Sequence, residues 1–312
     1  MINQFDKSDM FDKFSQEEPV IVIERDEEEV PVQKLIPEEA PEMRRAWQPW
    51  LRWLLAVLAV ALLILAAIFA YKLWAYYYRI GVDVSTTPAQ NIQKLKAPLS
   101  TETPEVVFSS DSILGVALDF YAIHGLQASI EFEEPDTADT SVFLYSRSAD
   151  HKADGTYIGT LVAEGRELQS DRSRLGYMAM ADGRLVIGIG RSDKVKDYVL
   201  ERGGSFFRQF IMVSNGVIPA RFFLHGKVER RAIGRMGNTL YYIATRHKET
   251  LWDFADALRE YGFVDAIYIT GGTDYCFYRS SDGMRHDIGD INDYPHKKWA
   301  GIIPWLVFRK AE

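Results

Sequence analysis

Residues Thr250–Arg279 read TLWDFADALREYGFVDAIYITGGTDYCFYR, and the order of residue types in this stretch decides the fold. Thr250 sets a side-chain oxygen ahead of an apolar-periodic run, and Asp253 puts an acid in the first turn. Orphan N–H groups and the helix dipole both favour that arrangement. Trp252, Ala255 and Leu258 fall on one face with Phe254 and Tyr261 beside it, whereas Asp256, Arg259 and Glu260 fall elsewhere. The periodicity predicts a short amphipathic helix, which Gly262 ends by adopting the left-handed conformation. Phe263–Ile269 then reads as a mostly buried strand. Gly271-Gly272 lets the backbone turn sharply or approach a ligand closely, because no Cβ obstructs it. A second strand runs on to Arg279.

Outward from this unit the same grammar repeats. Gln127–Phe132 alternates, Ser141–Tyr145 is strand-like, and Leu175–Ile189 folds back at Asp182-Gly183, a strong hairpin signal. Phe206–Val213, Val217–Leu224, Thr239–Ala244 and Ile303–Arg309 read as further strands. Asp193–Arg202 reads as a helix stopped by Gly203-Gly204, and a short helix is expected at Ala89–Leu95. Many strands with two or three helices predict an α+β domain over residues 106–312, with a largely antiparallel or mixed sheet. No internal repeat is present.

Ahead of the domain, Trp53–Tyr71 is WLLAVLAVALLILAAIFAY, with no charge. As a helix it matches the hydrocarbon thickness of a bilayer. Trp47, Trp50 and Trp53 stand at one end, and Trp74, Tyr76, Tyr77 and Tyr78 at the other, as interfacial anchors do. Residues 47–79 are therefore expected to be a single transmembrane helix with its lipid contact at Trp53–Tyr71. The run begins too far from Met1 for a simple signal peptide. Lys34, Arg44, Arg45 and Arg52 on its N-terminal side outweigh Lys72 and Arg79, which predicts a cytoplasmic tail and an outer domain. In a bacterial chain that means the inner membrane and the periplasm. Residues 80–105, with several Ser, Thr and Pro, are expected to be a linker.

The 312 residues carry a net charge of −8, but Met1–Met43 holds 13 Asp/Glu against 4 Lys/Arg, or −9, leaving about +1 elsewhere. Residues 1–46 thus read as an acidic, mostly disordered tail. Val20–Ile23 within it offers a short strand-adding motif for a cytoplasmic protein partner. The remainder has no basic face of the kind nucleic-acid binding requires. The single cysteine, Cys276, excludes an intrachain disulfide framework and cysteine-rich zinc sites.

Three segments carry a family likeness. Asp265-Ala-Ile-Tyr-Ile-Thr270-Gly271-Gly272-Thr273-Asp274 is preceded by Arg230-Arg231-Ala-Ile-Gly234 with its turn at Gly237-Asn238, and earlier by Ala153–Leu168 with glycines at 155, 159 and 165. In this order, over roughly Val142–Arg279, they resemble the phosphodiester glycosidase family, which includes N-acetylglucosamine-1-phosphodiester α-N-acetylglucosaminidase and bacterial exopolysaccharide-related proteins. The chain departs from the family at two positions: Thr270 stands where the family has an acid, and Asp274 where it has a serine. The segment expected to hold the family's Asn-x-Gly site reads Tyr145-Ser-Arg147-Ser-Ala149-Asp150.

The resemblance implies a sugar-phosphate or glycan ligand. It places Arg230 near a glycosyl phosphate, where a guanidinium fork suits the oxygens, and it brings Arg147, Arg246 and His247 into or beside site segments. Thr270, Gly271, Gly272 and Thr273 form the turn that would meet the ligand, either as an anion-binding nest or simply as a turn. Asp274 is the candidate for acid–base work or for coordinating a cation, or else a capping or solvated loop aspartate. His286–Asp293 gathers oxygen atoms without calcium-loop spacing, Gly188-Ile-Gly190 lacks the rest of a dinucleotide motif, and no metal site or cofactor is indicated. Three functions follow: an envelope hydrolase of sugar 1-phosphodiesters, a relative that has lost the reaction and binds a glycan or protein, or an envelope scaffold.

Overall fold

The computed structural model describes residues 49–78, 86–99, 101–152, 154–219, 225–272, 274–289 and 303–311. The acidic tail, Thr273, most of the strand expected at Val217–Leu224 and the second half of the His286–Asp293 loop lie outside the described residues. Helix α1, Pro49–Tyr78, contains a 25-residue span, Trp50–Trp74, that is long and apolar enough to cross a membrane.

The remaining described elements form antiparallel sheets with three helices. The first sheet has the spatial order β1 (Glu105–Ile113), β2 (Val116–His124), β12 (Thr239–Thr245), β11 (Arg230–Met236), β13 (Asp265–Gly271) and β10 (Ile211–Val213). The second runs β15 (Arg285–Ile288), β14 (Cys276–Arg279), β4 (Val142–Arg147), β16 (Trp305–Lys310) and β3 (Leu126–Glu131). The third runs β6 (Arg166–Gln169), β5 (Leu161–Ala163), β9 (Ser205–Gln209), β7 (Gly176–Ala181) and β8 (Arg184–Ile189). Period-two alternation sends one set of side chains from all three sheets into a common core, including Tyr121, Ile233 and Ile267 from the first, Leu144 and Leu306 from the second, and Met178 and Phe207 from the third. This is the α+β class expected from the sequence.

The opposite faces are covered separately. Helix α4 (Leu251–Tyr261) lays Leu251, Phe254 and Leu258 on Leu118, Phe120, Ala232 and Ala266 of the first sheet. Because β13 is thus covered on both faces, it reads as an unbroken apolar run. Helices α2 (Pro88–Leu95) and α3 (Lys194–Glu201) cover the third sheet through Leu95, Val195 and Val199. Residues 86–99 are tied down: the Thr86 amide donates to the Ile189 carbonyl at 3.1 Å, and Asn91 Nδ2 to the Tyr177 hydroxyl at 2.6 Å. That part of the expected linker is therefore packed structure. The expected strand Phe206–Val213 is two strands, broken at Phe210, where the chain leaves the third sheet for the first. Its apolar content persists through the break because both halves are buried, so periodicity does not reveal it.

Thr250 caps α4 by accepting from the Asp253 amide at 3.0 Å, and Gly262 ends the helix at φ +105°. Thr250→Ala should cost about 1 kcal/mol, with Thr250→Ser recovering most of it, as read by urea denaturation with an unchanged m-value.

Candidate functional site

β11, β13 and β14 bring their polar ends together beside the C-terminal end of β4, where the first and second sheets meet. The pairing of β11 with β13 is irregular: Arg230 faces Gly271 and Ala232 faces Tyr268, so Ile269 and Thr270 together oppose Arg231. Such a bulge re-aims side chains. Thr270 turns inward, fully buried, and donates from Oγ1 to Asp274 Oδ2 at 2.8 Å. Gly271 is required by its neighbour, because a Cβ there would lie 2.2 Å from the Tyr268 hydroxyl. Gly272 adopts φ +90°, the conformation that swings the chain toward Asp274.

Three arginines organise this end. Arg231, 5% exposed, donates from Nη1 to the Gly272 carbonyl at 2.6 Å and from Nη2 to the Asp274 carbonyl at 3.3 Å, so it fixes the loop after β13. Arg230 donates to the carbonyls of Gly226 at 2.7 Å and Glu249 at 3.0 Å and to the Tyr268 hydroxyl at 3.4 Å. Arg147, at the end of β4, lies 3.8 Å from Asp274 Oδ1 and donates from Nη2 to His151 Nδ1 at 2.8 Å. Since a guanidinium cannot accept, His151 Nδ1 is the unprotonated nitrogen of a neutral ring.

Two carboxylates sit among these cations in different settings. The Asp274 side chain is wholly enclosed, receives Thr270 Oγ1 and the Tyr275 amide, and lies between Arg147 and Arg231. Burial nevertheless raises its affinity for a proton, opposed by both arginines. Asp150 is half-buried at the surface of the cluster and accepts the Gly271 amide at 3.3 Å. Burial pushes its carboxyl up to about 6, helped by the like charge of Asp274 and opposed by the Gly271 N–H, Arg147 and the Tyr268 hydroxyl. A carboxylate that changes charge near neutral pH beside fixed cations is equipped to move a proton.

The structure therefore gathers Arg230, Arg147, Thr270, Gly271, Gly272 and Asp274 at one place. The amides of Gly271 and Gly272 are engaged, the first by Asp150 and the second by the Glu229 carbonyl at 2.9 Å. Arg246 and His247 are exposed beyond β12, and Arg246 is turned toward Asp111 and Asp119, away from this cluster. Four members were not singled out from the sequence as site residues: Asp150, His151, Arg231 and Tyr268. The Arg147-Ser-Ala-Asp150-His151 run at a strand end was the available signal for the first two. Among the described residues, no three His, Cys, Asp or Glu side chains are grouped to hold a metal ion.

This chain has likenesses among known proteins. No protein-family model and no curated protein matches it. Among solved structures it is similar to the catalytic domain of zebrafish N-acetylglucosamine-1-phosphodiester α-N-acetylglucosaminidase, auto-inhibited by its pro-peptide, at 13% identity and a TM-score of 0.48. That similarity covers 69% of this chain and 85% of the zebrafish chain. It is similar also to a hypothetical protein from Synechocystis at 11% identity and a TM-score of 0.48, covering 69% of this chain and 64% of the other.

A carboxyl raised in the folded state binds its proton more tightly there than in the unfolded chain. It therefore removes stability as pH rises from the ordinary carboxylate range toward about 6. Asp150→Asn should abolish that contribution, leaving the variant more stable than the wild type by about 1–3 kcal/mol at pH 7 and no more stable at pH 4. Thermal melts at the two pH values measure the difference.

Proposed function

We propose that this chain is a membrane-anchored hydrolase of sugar 1-phosphodiesters, with α1 in the inner membrane, the acidic tail in the cytoplasm and the domain in the periplasm. The observation that carries the reading is the placement of the Asp150 carboxyl, which accepts the Gly271 amide and which burial raises to about 6, with Arg147 and the enclosed Asp274 behind it. The three sequence segments resembling phosphodiester glycosidases meet at or beside this place. The charge bias around α1 supports the orientation.

Cleavage of a sugar–phosphate bond releases a phosphate monoester, an anion already stabilised by its own oxygens, so the leaving group needs little help from an acid. The group most needed is a base that takes a proton from the attacking water. Asp150 fills that role when ionised. Water adds at the sugar carbon, the carbon–oxygen bond to phosphate breaks with its electron pair going to phosphate, and Asp150 accepts the proton. Arg147 supplies the nearest positive charge for the departing phosphate, and Asp274 holds Arg147 as its buried partner. On this reading Asp274 positions and Asp150 reacts, so Thr270 in place of an acid removes no essential proton carrier.

A second reading has support of its own. Arg230 and Arg231 spend donors on backbone carbonyls, which suits a binding relative in which these side chains serve the scaffold.

Hydrolysis of an N-acetylhexosamine 1-phosphodiester by the full chain in nanodiscs separates the two. The hydrolase reading expects a rate that rises with pH through about 6, and a loss of about a hundredfold or more in Asp150→Asn. Absence of turnover across several sugars, in a protein that still binds the phosphodiester, would establish the binding relative instead.

A further inference from the structure

Facing residues on neighbouring strands project from the same side of a sheet. One row across the first sheet therefore leads away from the cluster: Arg231 faces Ala244, Ala244 faces Asp119, and Asp119 faces Ser110 on the edge strand β1. The adjacent row carries Tyr242, Tyr121 and Phe108. Across from it Tyr278 of β14 lies 6.1 Å from Phe108 at an interplanar angle of 25° and 5.0 Å from Tyr121, with His286 stacked on Tyr278 at 4.5 Å and 10°.

These rows are built rather than incidental. Ser110 Oγ donates to Asp119 Oδ1 at 2.6 Å, and Arg246 Nε stands 3.6 Å from the same oxygen while its Nη2 donates to the Asp111 carbonyl at 3.1 Å. Arg246, a site candidate that the catalytic cluster leaves aside, thus belongs to this strip. Ala244 between Asp119 and Arg231 is the smallest side chain of the row and lies buried in the common core, so the strip and the cluster are two ends of one row that passes through the interior. Phe108 keeps 45% of its surface exposed at a sheet edge although Tyr121 and Tyr278 hold its ring in place. A fixed, half-exposed ring beside a carboxylate, a hydroxyl and a guanidinium has the pairing a sugar ring requires: an apolar face to cover its C–H face, and donors and acceptors for its hydroxyls.

We propose that the strip Phe108–Ser110–Asp119–Arg246, at the exposed edge of the first sheet, is a glycan subsite separate from the place of cleavage, so that the substrate class is an extended glycan. The proposal rests on the hydrolase reading for the cleaved bond, but the strip stands on its own contacts. Phe108 stacks on one ring, and Asp119 and Arg246 bond its hydroxyls.

The test is calorimetric titration of the full chain in nanodiscs with glucose, N-acetylglucosamine and uronic-acid oligomers of one to six units. Affinity is expected to tighten about tenfold from one unit to four in at least one series. Phe108→Ala and Asp119→Asn should return the tetramer to the affinity of the monomer, whereas Asp150→Asn keeps the length dependence. An unchanged thermal melt checks that Phe108→Ala keeps the fold, and Phe108→Tyr should restore binding. No length dependence in any of the three series, or length dependence that survives Phe108→Ala and Asp119→Asn, overturns the subsite. Length-dependent binding that responds to both variants in a chain without hydrolysis sustains the subsite and overturns the hydrolase reading.

Discussion

The constraint on which this structure depends is that charge buried at the meeting of two sheets must be matched by charge or by backbone dipoles. Arg147, Arg230 and Arg231 are each 7% exposed or less, and leaving any of them unmatched would cost several kcal/mol. Each is met in its own way. Arg231 binds two carbonyls of the loop after β13, Arg230 binds carbonyls from two other loops, and Arg147 meets Asp274 and the neutral His151. Loops that would otherwise be free to choose a path are thereby held by guanidinium forks. The bulge at Thr270 and the glycines at 271 and 272 are the backbone side of the same arrangement, since they bring the Gly272 and Asp274 carbonyls to where Arg231 can reach them.

Much of the fold was legible in the residues because its cues are local. The cap at Thr250, the stop at Gly262, the turn at Asp182-Gly183 and the 2.0 and 3.6 periodicities each operate within a few positions, where the chain contacts itself before any tertiary structure exists. The break at Phe210 was not legible, because it depends on which sheet each half joins. The site divides the same way. Thr270, Gly271 and Gly272 stand out by turn chemistry, and Arg230 and Arg147 by the family likeness. Asp150 looks like any loop aspartate in sequence. Its distinction comes from Gly271 and Tyr268 on another strand and Asp274 beyond it, so the segment 145–150, although the family likeness marks it, does not by itself single Asp150 out. Arg231 was hidden for a related reason: which of two adjacent arginines turns inward is set by the bulge in the neighbouring strand.

Asp150 and Asp274 are like groups that burial pushes in the same direction in two different settings. Asp274 is enclosed, and although two hydrogen bonds and two arginines oppose it, burial still raises its proton affinity; its contact with Arg147 orients that guanidinium. Asp150 has the Gly271 N–H, the Tyr268 hydroxyl and the charge of Arg147 to oppose its burial, and it is the more exposed of the two. Moving Asp150 deeper would raise its proton affinity further and remove it from water. Moving it outward would return it to an ordinary carboxylate, ionised throughout the neutral range. The half-buried position is therefore the one at which a carboxyl exchanges a proton near neutrality and still reaches solvent, and the fold gives up stability to keep it there. That loss is small beside the core, where three sheets share one interior, and it falls on the residue whose replacement by asparagine would make the folded chain easier to hold.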